Sequence, residues 1–140
     1  MKKKQVNCGI LSRKAFMERS IAIAKGKYKP KKGEPKVWFE SLQTMAQVLS
    51  NENQSLLCTI IKEKPDSIKA LAKLSGRKES NLSRTLNKMR QYGIVDFKVS
   101  GGAKKPIVNY TDFKFKVGLN SYPMFLLDDQ GYCDIEFYKR

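Results

Sequence analysis

Apolar side chains recur at helical spacing in five stretches of the chain, after which the period drops to two. Ser12 is placed to cap a helix carrying Ala15, Phe16, Arg19 and Ile23. The stretch Gly26 to Lys36, GKYKPKKGEPK, has neither period and reads as a charged loop. After Pro35, the segment VWFESLQTMAQVLS sets Trp38, Leu42, Met45 and Leu49 at i, i+4, i+7 and i+11, with Phe39 and Ala46 beside them. That spacing predicts one wide apolar face on a three-turn helix. Ser50 or Asn51 can cap the next helix, with Leu56, Leu57, Ile60 and Ile61, which ends near Lys64-Pro65 because proline cannot continue it. Asp66 or Ser67 begins a short helix with Ile68, Leu71, Ala72 and Leu74, closed by Ser75-Gly76. A last helix carries Leu82, Leu86 and Met89 and closes at Tyr92-Gly93.

Beyond Gly93 the alternation is strand-like. Ile94, Val95, Phe97 and Val99 predict a strand, Ser100 to Lys105 a turn, and Ile107 to Val117 a longer strand. The last twenty residues, with Phe125-Leu126-Leu127, Asp128-Asp129-Gln130-Gly131 and Tyr132 to Phe137, suggest a second hairpin. The expected fold is mostly α with a small β part (α+β): a helix-turn-helix with a wing, N-terminal helices and a C-terminal β extension. Three segments are expected: a basic arm and helices at 1–50, a winged helix-turn-helix at 51–112, and an aromatic-rich β extension at 113–140.

Charge narrows the function. The 140 residues carry 28 Lys and Arg against 13 Asp and Glu, a formal charge of +15. Residues 1–36 hold 12 basic and 2 acidic side chains and residues 37–105 hold 12 and 6, whereas residues 106–140 hold 4 and 5. A basic front and middle point to a polyanionic partner. With no histidine, neither a His-based nucleophile system nor a His-containing zinc site can be built. Cys8, Cys58 and Cys133 form no CxxC pair and no disulfide framework, which fits a reducing cytoplasm. Cys8, near Lys2 to Lys4, is the one candidate for a redox-active thiol. No apolar run approaches the ~20 residues of a membrane helix, so no membrane partner is expected. Neither a metal nor another cofactor is expected.

Residues 55–110 therefore spell helix, short helix, tight turn, helix and basic hairpin, the order of a winged helix. If the last helix buries Leu82, Leu86 and Met89, the opposite arc presents Ser80, Arg84, Asn87, Lys88 and Gln91, with Asn81 at its edge. Arg and Lys can donate to guanine O6 and N7, and Asn and Gln can pair with adenine N6 and N7. Arg77 and Lys78 in the turn, with Lys98, Lys104 and Lys105 flanking Gly101-Gly102, would add roughly five phosphate contacts and a steep salt dependence. The lysine-rich loop, six lysines between Lys25 and Lys36, is either an arm following the DNA or a solvated loop.

The core SIKALAKLSGRKESNLSRTLNKMRQYGIV resembles the helix-turn-helix of MarR-like winged-helix transcriptional regulators. Leu82-Ser83-Arg84-Thr85-Leu86 resembles the V/L-S-R-x-L centre of their recognition helices, and Met89 through Val95 their L-x-x-x-G-L-V passage into the wing. The segment EPKVWFES, Glu34 to Ser41, is similar to a subgroup of small prokaryotic regulators of this type. The resemblance implies a sequence-specific double-stranded DNA-binding regulator, a repressor, acting as a homodimer on two half-sites. Helix 79–92 would enter the major groove and the wing 95–110 would meet the backbone or minor groove. Dimerisation is expected through Phe16 to Ile23 and Trp38 to Leu49, with packing of these residues under the domain as the alternative. Two departures stand out: the helix-cap position holds Lys78, and the final twenty residues have no family counterpart. The alternative is an antitoxin that represses its own promoter and binds a toxin through the C-terminal extension. An enzyme is not expected; its carboxylates would have to be Asp128, Asp129, Asp134 and Glu136.

Overall fold

The computed structural model describes residues 3–116. Its elements run β1 (Gln5–Ile10), α1 (Arg13–Ala24), β2 (Val37–Phe39), α2 (Leu42–Val48), α3 (Asn51–Glu63), α4 (Ile68–Ser75), α5 (Glu79–Gln91), β3 (Val95–Ser100), β4 (Ala103–Val108) and β5 (Asp112–Phe115). The α+β class expected from the sequence is the class observed. The second hairpin, Cys133 and the four acidic residues from Asp128 to Glu136 lie outside the described residues.

Four helices begin on a serine whose hydroxyl accepts from the backbone N–H three residues on: Ser12 for α1, Ser41 for α2, Ser50 for α3 and Ser67 for α4. Each satisfies one of the donors that a helix start leaves open. Gly76 closes α4 at a φ of 74°, a conformation that glycine reaches without a side-chain clash.

The N-terminal third departs from expectation. Residues 5–10 form a strand, and Val37–Phe39 form another rather than the first turn of a helix. Both pair in parallel in a three-stranded sheet of order β2-β1-β5. The aromatic and β-branched residues Val37, Trp38 and Phe39 suit a strand, and the cap at Ser41 delays the helix to Leu42. Gly9 lies opposite Trp38, and a Cβ there would fall 2.5 Å from Trp38 Cζ3. The expected long strand 107–117 is broken. Asn109 N–H donates to the Ile94 carbonyl, and Thr111 N–H donates to that of Lys4, which carries the chain from the hairpin to the edge of β1.

Of the face expected for α1, Ala15 and Ile23 are half-buried and Arg19 is buried, whereas Phe16 is not. Phe16, Met17 and Ile21 are exposed. The Arg19 guanidinium meets Glu34 at 3.3 Å and stacks on Trp38 and Tyr28 at 5.2 and 5.8 Å. Glu34 also accepts from Tyr28 Oη at 2.7 Å and from the Lys31 N–H at 2.9 Å. The lysine-rich loop is thus anchored to α1 rather than free along its length. Sheet and helices share one core, in which Val6, Cys8, Val37 and Phe39 continue into Leu56, Ile60, Leu71, Leu82, Leu86, Met89 and Ile94. Phe39 joins the two parts, stacked on Tyr92 at 4.8 Å and tilted against Phe115 at 5.8 Å. Cys8 is part of this core. Burial pushes its thiol up to about 11, so it does not make the redox-active thiolate that the sequence offered.

Removing one partner of a buried ion pair leaves the other uncompensated. Glu34→Gln is expected to cost about 3–5 kcal/mol, read as a lower urea midpoint, and Tyr28→Phe about 1 kcal/mol. Equal losses for the two would show that Arg19 does not depend on the carboxylate. Burial and the hydrogen bond to Glu34 push the Tyr28 phenol up to about 12 from 10.0. The folded chain therefore holds this proton more tightly than the unfolded one. This contribution to stability is complete below about pH 10 and is lost as the pH rises toward about 12. Tyr28→Phe should flatten that part of the stability–pH curve.

Candidate nucleic-acid interface

Helices α4 and α5 are joined by the three residues Gly76, Arg77 and Lys78, and α5 leads through Tyr92-Gly93 into the β3–β4 hairpin. Leu82, Leu86 and Met89 are at most 1% exposed, which fixes the rotation of α5 about its axis. Ser80, Asn81, Arg84, Asn87, Lys88 and Gln91 are all exposed. Among the described residues, none of the ion pairs involves this face. The structure therefore brings together six of the eleven candidate residues on one side of one helix.

The hairpin turns on two residues rather than six. Gly101 and Gly102 have φ of 56° and 81°, the pair of positive values a tight two-residue hairpin turn needs. Lys104 and Lys105 belong to β4, opposite Val99 and Lys98. Lys98 and Lys104 are exposed. Lys105 Nζ lies 3.6 Å from the exposed Asp66 carboxylate, a pair of small worth that a stronger anion can displace.

Arg77 is not on the open face. Both of its terminal nitrogens reach Asn53 Oδ1, at 3.3 and 3.4 Å. Asn53 in turn donates to the carbonyls of Gln47 and Val48 at the end of α2. Arg77 thus ties the turn to the start of α3. Lys78 caps α5 without a side-chain hydrogen bond, unlike the four serines.

Sequence reasoning missed Arg90. Its guanidinium lies 5.9 Å from the Phe97 ring centroid, and Lys104 Nζ approaches the same ring at 5.8 Å. Phe97 thereby collects one cation from α5 and one from β4, and joins the exposed side of the helix to the wing. The signal was the odd-numbered alternation Val95-Phe97-Val99, which places Phe97 on the face of the hairpin that also bears Val95. Among the described residues, no group of three or more Cys, Asp and Glu is arranged to hold a metal. No helix among them is long and apolar enough to cross a membrane. Chemically, the α5 face can donate hydrogen bonds in several directions and neutralise anions without breaking any ion pair of its own.

A family model, HVO_A0114, matches residues 48–115. The match runs from the end of α2 through β5 and leaves β1, α1 and β2 outside it. No curated protein and no solved structure matches the chain.

The uncapped start of α5 gives a stability test. Lys78→Ser should supply the missing acceptor and raise unfolding free energy by about 1 kcal/mol, measured by denaturant titration. No gain would mean that the backbone at 78 cannot present a hydroxyl to α5.

Proposed function

We propose that this protein is a sequence-specific double-stranded DNA-binding transcriptional regulator, a repressor, that reads the major groove with α5. The observation that carries the proposal is the outward arc of α5. Its six polar side chains are exposed and free of ion pairs, and their types match the donor and acceptor patterns of base edges. The β3–β4 hairpin supplies Lys98, Lys104 and Lys105 to the adjacent backbone or minor groove, with Gly101-Gly102 allowing close approach. Lys78 and the open N–H groups of the first turn of α5 favour a phosphate there. Arg77 acts by holding the turn against α3, and Arg90 by setting the wing through Phe97. The reading extends to a homodimer in a reducing cytoplasm, bound to two half-sites about one helical turn apart.

Selection of bound duplexes from a random library gives the site, and a palindrome would carry the dimer. At that site Arg84→Ala is expected to cost about 1–3 kcal/mol while leaving random duplex binding nearly unchanged. Replacing Lys98 and Lys104 with Ala should weaken all duplexes alike and lower the salt slope by about 2. Equal losses for Arg84→Ala on selected and random DNA would reduce that residue to a phosphate contact. Failure to enrich any sequence would remove sequence-specific reading altogether.

A further inference from the structure

The exposed side of α1 borders a groove of about 320 Å³ lined by Leu11, Phe16, Met17, Trp38 and Tyr92, with Lys36 and Arg13 at its rim and Gln91 of the α5 arc also in its lining. Phe16 is 42% and Met17 58% exposed, so large apolar groups stand in water beside a concave surface. Glu40, also at the rim, is answered by Arg13 at 3.9 Å, which leaves Lys36 without an acidic partner among the described residues.

We infer that this groove receives the chain's own residues 117–140. Three observations favour that occupant. The first is place. β5 runs parallel to β1 with Phe115 opposite Cys8, so the chain leaves the sheet at the same end as Leu11, where the groove begins. Phe115 also packs on Phe39, which stacks on the groove wall Tyr92, so the exit lies two ring contacts from the groove. The second is composition. Residues 117–140 hold Phe125, Leu126 and Leu127 followed by Asp128 and Asp129, and carry four acidic side chains against two basic in an otherwise strongly basic protein. Apolar groups followed by carboxylates complement an apolar groove with a basic rim. The third is tethering. A segment joined to Lys116 competes at an effective concentration in the millimolar range.

A second copy of the chain fits less well. It would bring another strongly basic surface to a basic rim, and a single twelve-residue helix is small against the ~800 Å² per partner of a standard interface. This inference assigns the exposed side of α1 to a segment of the same chain rather than to the dimer contact that the sequence suggested. It does not depend on DNA binding.

Trp38 is the only tryptophan in the chain and lines the groove, so its fluorescence reads occupancy with no DNA present. In the full chain Trp38 should be shielded from acrylamide. In a chain ending at Lys116 its emission should shift to the red and its quenching constant rise several-fold. A synthetic peptide of residues 117–140 should reverse both changes saturably, with one site per chain. Met17→Asp in the full chain, on the exposed side of α1, should reproduce the truncated signal with unchanged far-ultraviolet circular dichroism, and it decides the matter if the truncated chain does not fold. Equal quenching in the full chain, the truncated chain and the Met17→Asp variant overturns the inference. So does a peptide that fails to bind at millimolar concentration. Shielding that disappears on dilution would assign the groove to a second copy, and also overturns it.

Discussion

The orientation of α5 rests on three side chains. Leu82, Leu86 and Met89 are sealed in the core that also holds Leu56, Ile60 and Leu71, each contributing about 2 kcal/mol on burial. Turning the helix by one residue would expose part of that set and drive Asn87 or Lys88 into the gap, where an unpaired polar group costs a further few kcal/mol. The outward chemistry of the helix is therefore a consequence of its inward chemistry. Nothing on the polar arc has to hold itself in place, which leaves those side chains free for an external partner.

Arg19 shows what burying an arginine takes in this same molecule. It needs the Glu34 carboxylate at 3.3 Å and the faces of Trp38 and Tyr28, and even then its Nε has no hydrogen-bond partner. That arrangement explains why the sequence misleads in the N-terminal third. On α1, Ala15, Arg19 and Ile23 keep the expected inward side but Phe16 does not. Arg19 sets the centre of that side, because a carboxylate fifteen residues later, in a loop without periodicity, is positioned to receive it. Trp38 misleads for a related reason: it falls on the helical period of Leu42, Met45 and Leu49, but its neighbour Phe39 is fully buried as a strand residue against β1. Parallel pairing between residues 5–10, 37–39 and 112–115 joins segments far apart in the chain, and such contacts leave only weak local signals. The alternation Val6, Cys8, Ile10 was such a signal, three apolar positions long.

From Ser50 to Val108 the sequence is far more legible, because each boundary is enforced locally. Ser50 and Ser67 open helices, Lys64 and Gly76 end them in the left-handed region, and Gly101-Gly102 marks the hairpin turn, though not its length of only two residues. The candidate surface inherits that legibility where it depends on helical period alone, as it does for Ser80, Asn81, Arg84, Asn87, Lys88 and Gln91. It fails where a long side chain selects its partner in space. Arg77 turns to Asn53, Lys105 to Asp66, and Arg90 to Phe97, and none of these pairings follows from spacing along one element.

The remaining constraint is charge. Of the three ion pairs among the described residues, only Arg19–Glu34 is buried; the other two are exposed and contribute about 0–1 kcal/mol each. With a formal charge of +15, and with most cations among the described residues outside the three ion pairs, mutual repulsion opposes the compact state. Salt screens that repulsion over about 8–10 Å at physiological strength. A polyanion seated along α5 and the β3–β4 hairpin would relieve it more directly, because it places phosphates against the cations themselves. Under the proposed reading, then, the free energy that favours binding includes relief of a strain the fold carries when unbound. A ligand that binds only the folded chain stabilises it by mass action, so on this reading the excess charge that opposes the compact state would also couple its folding to the partner.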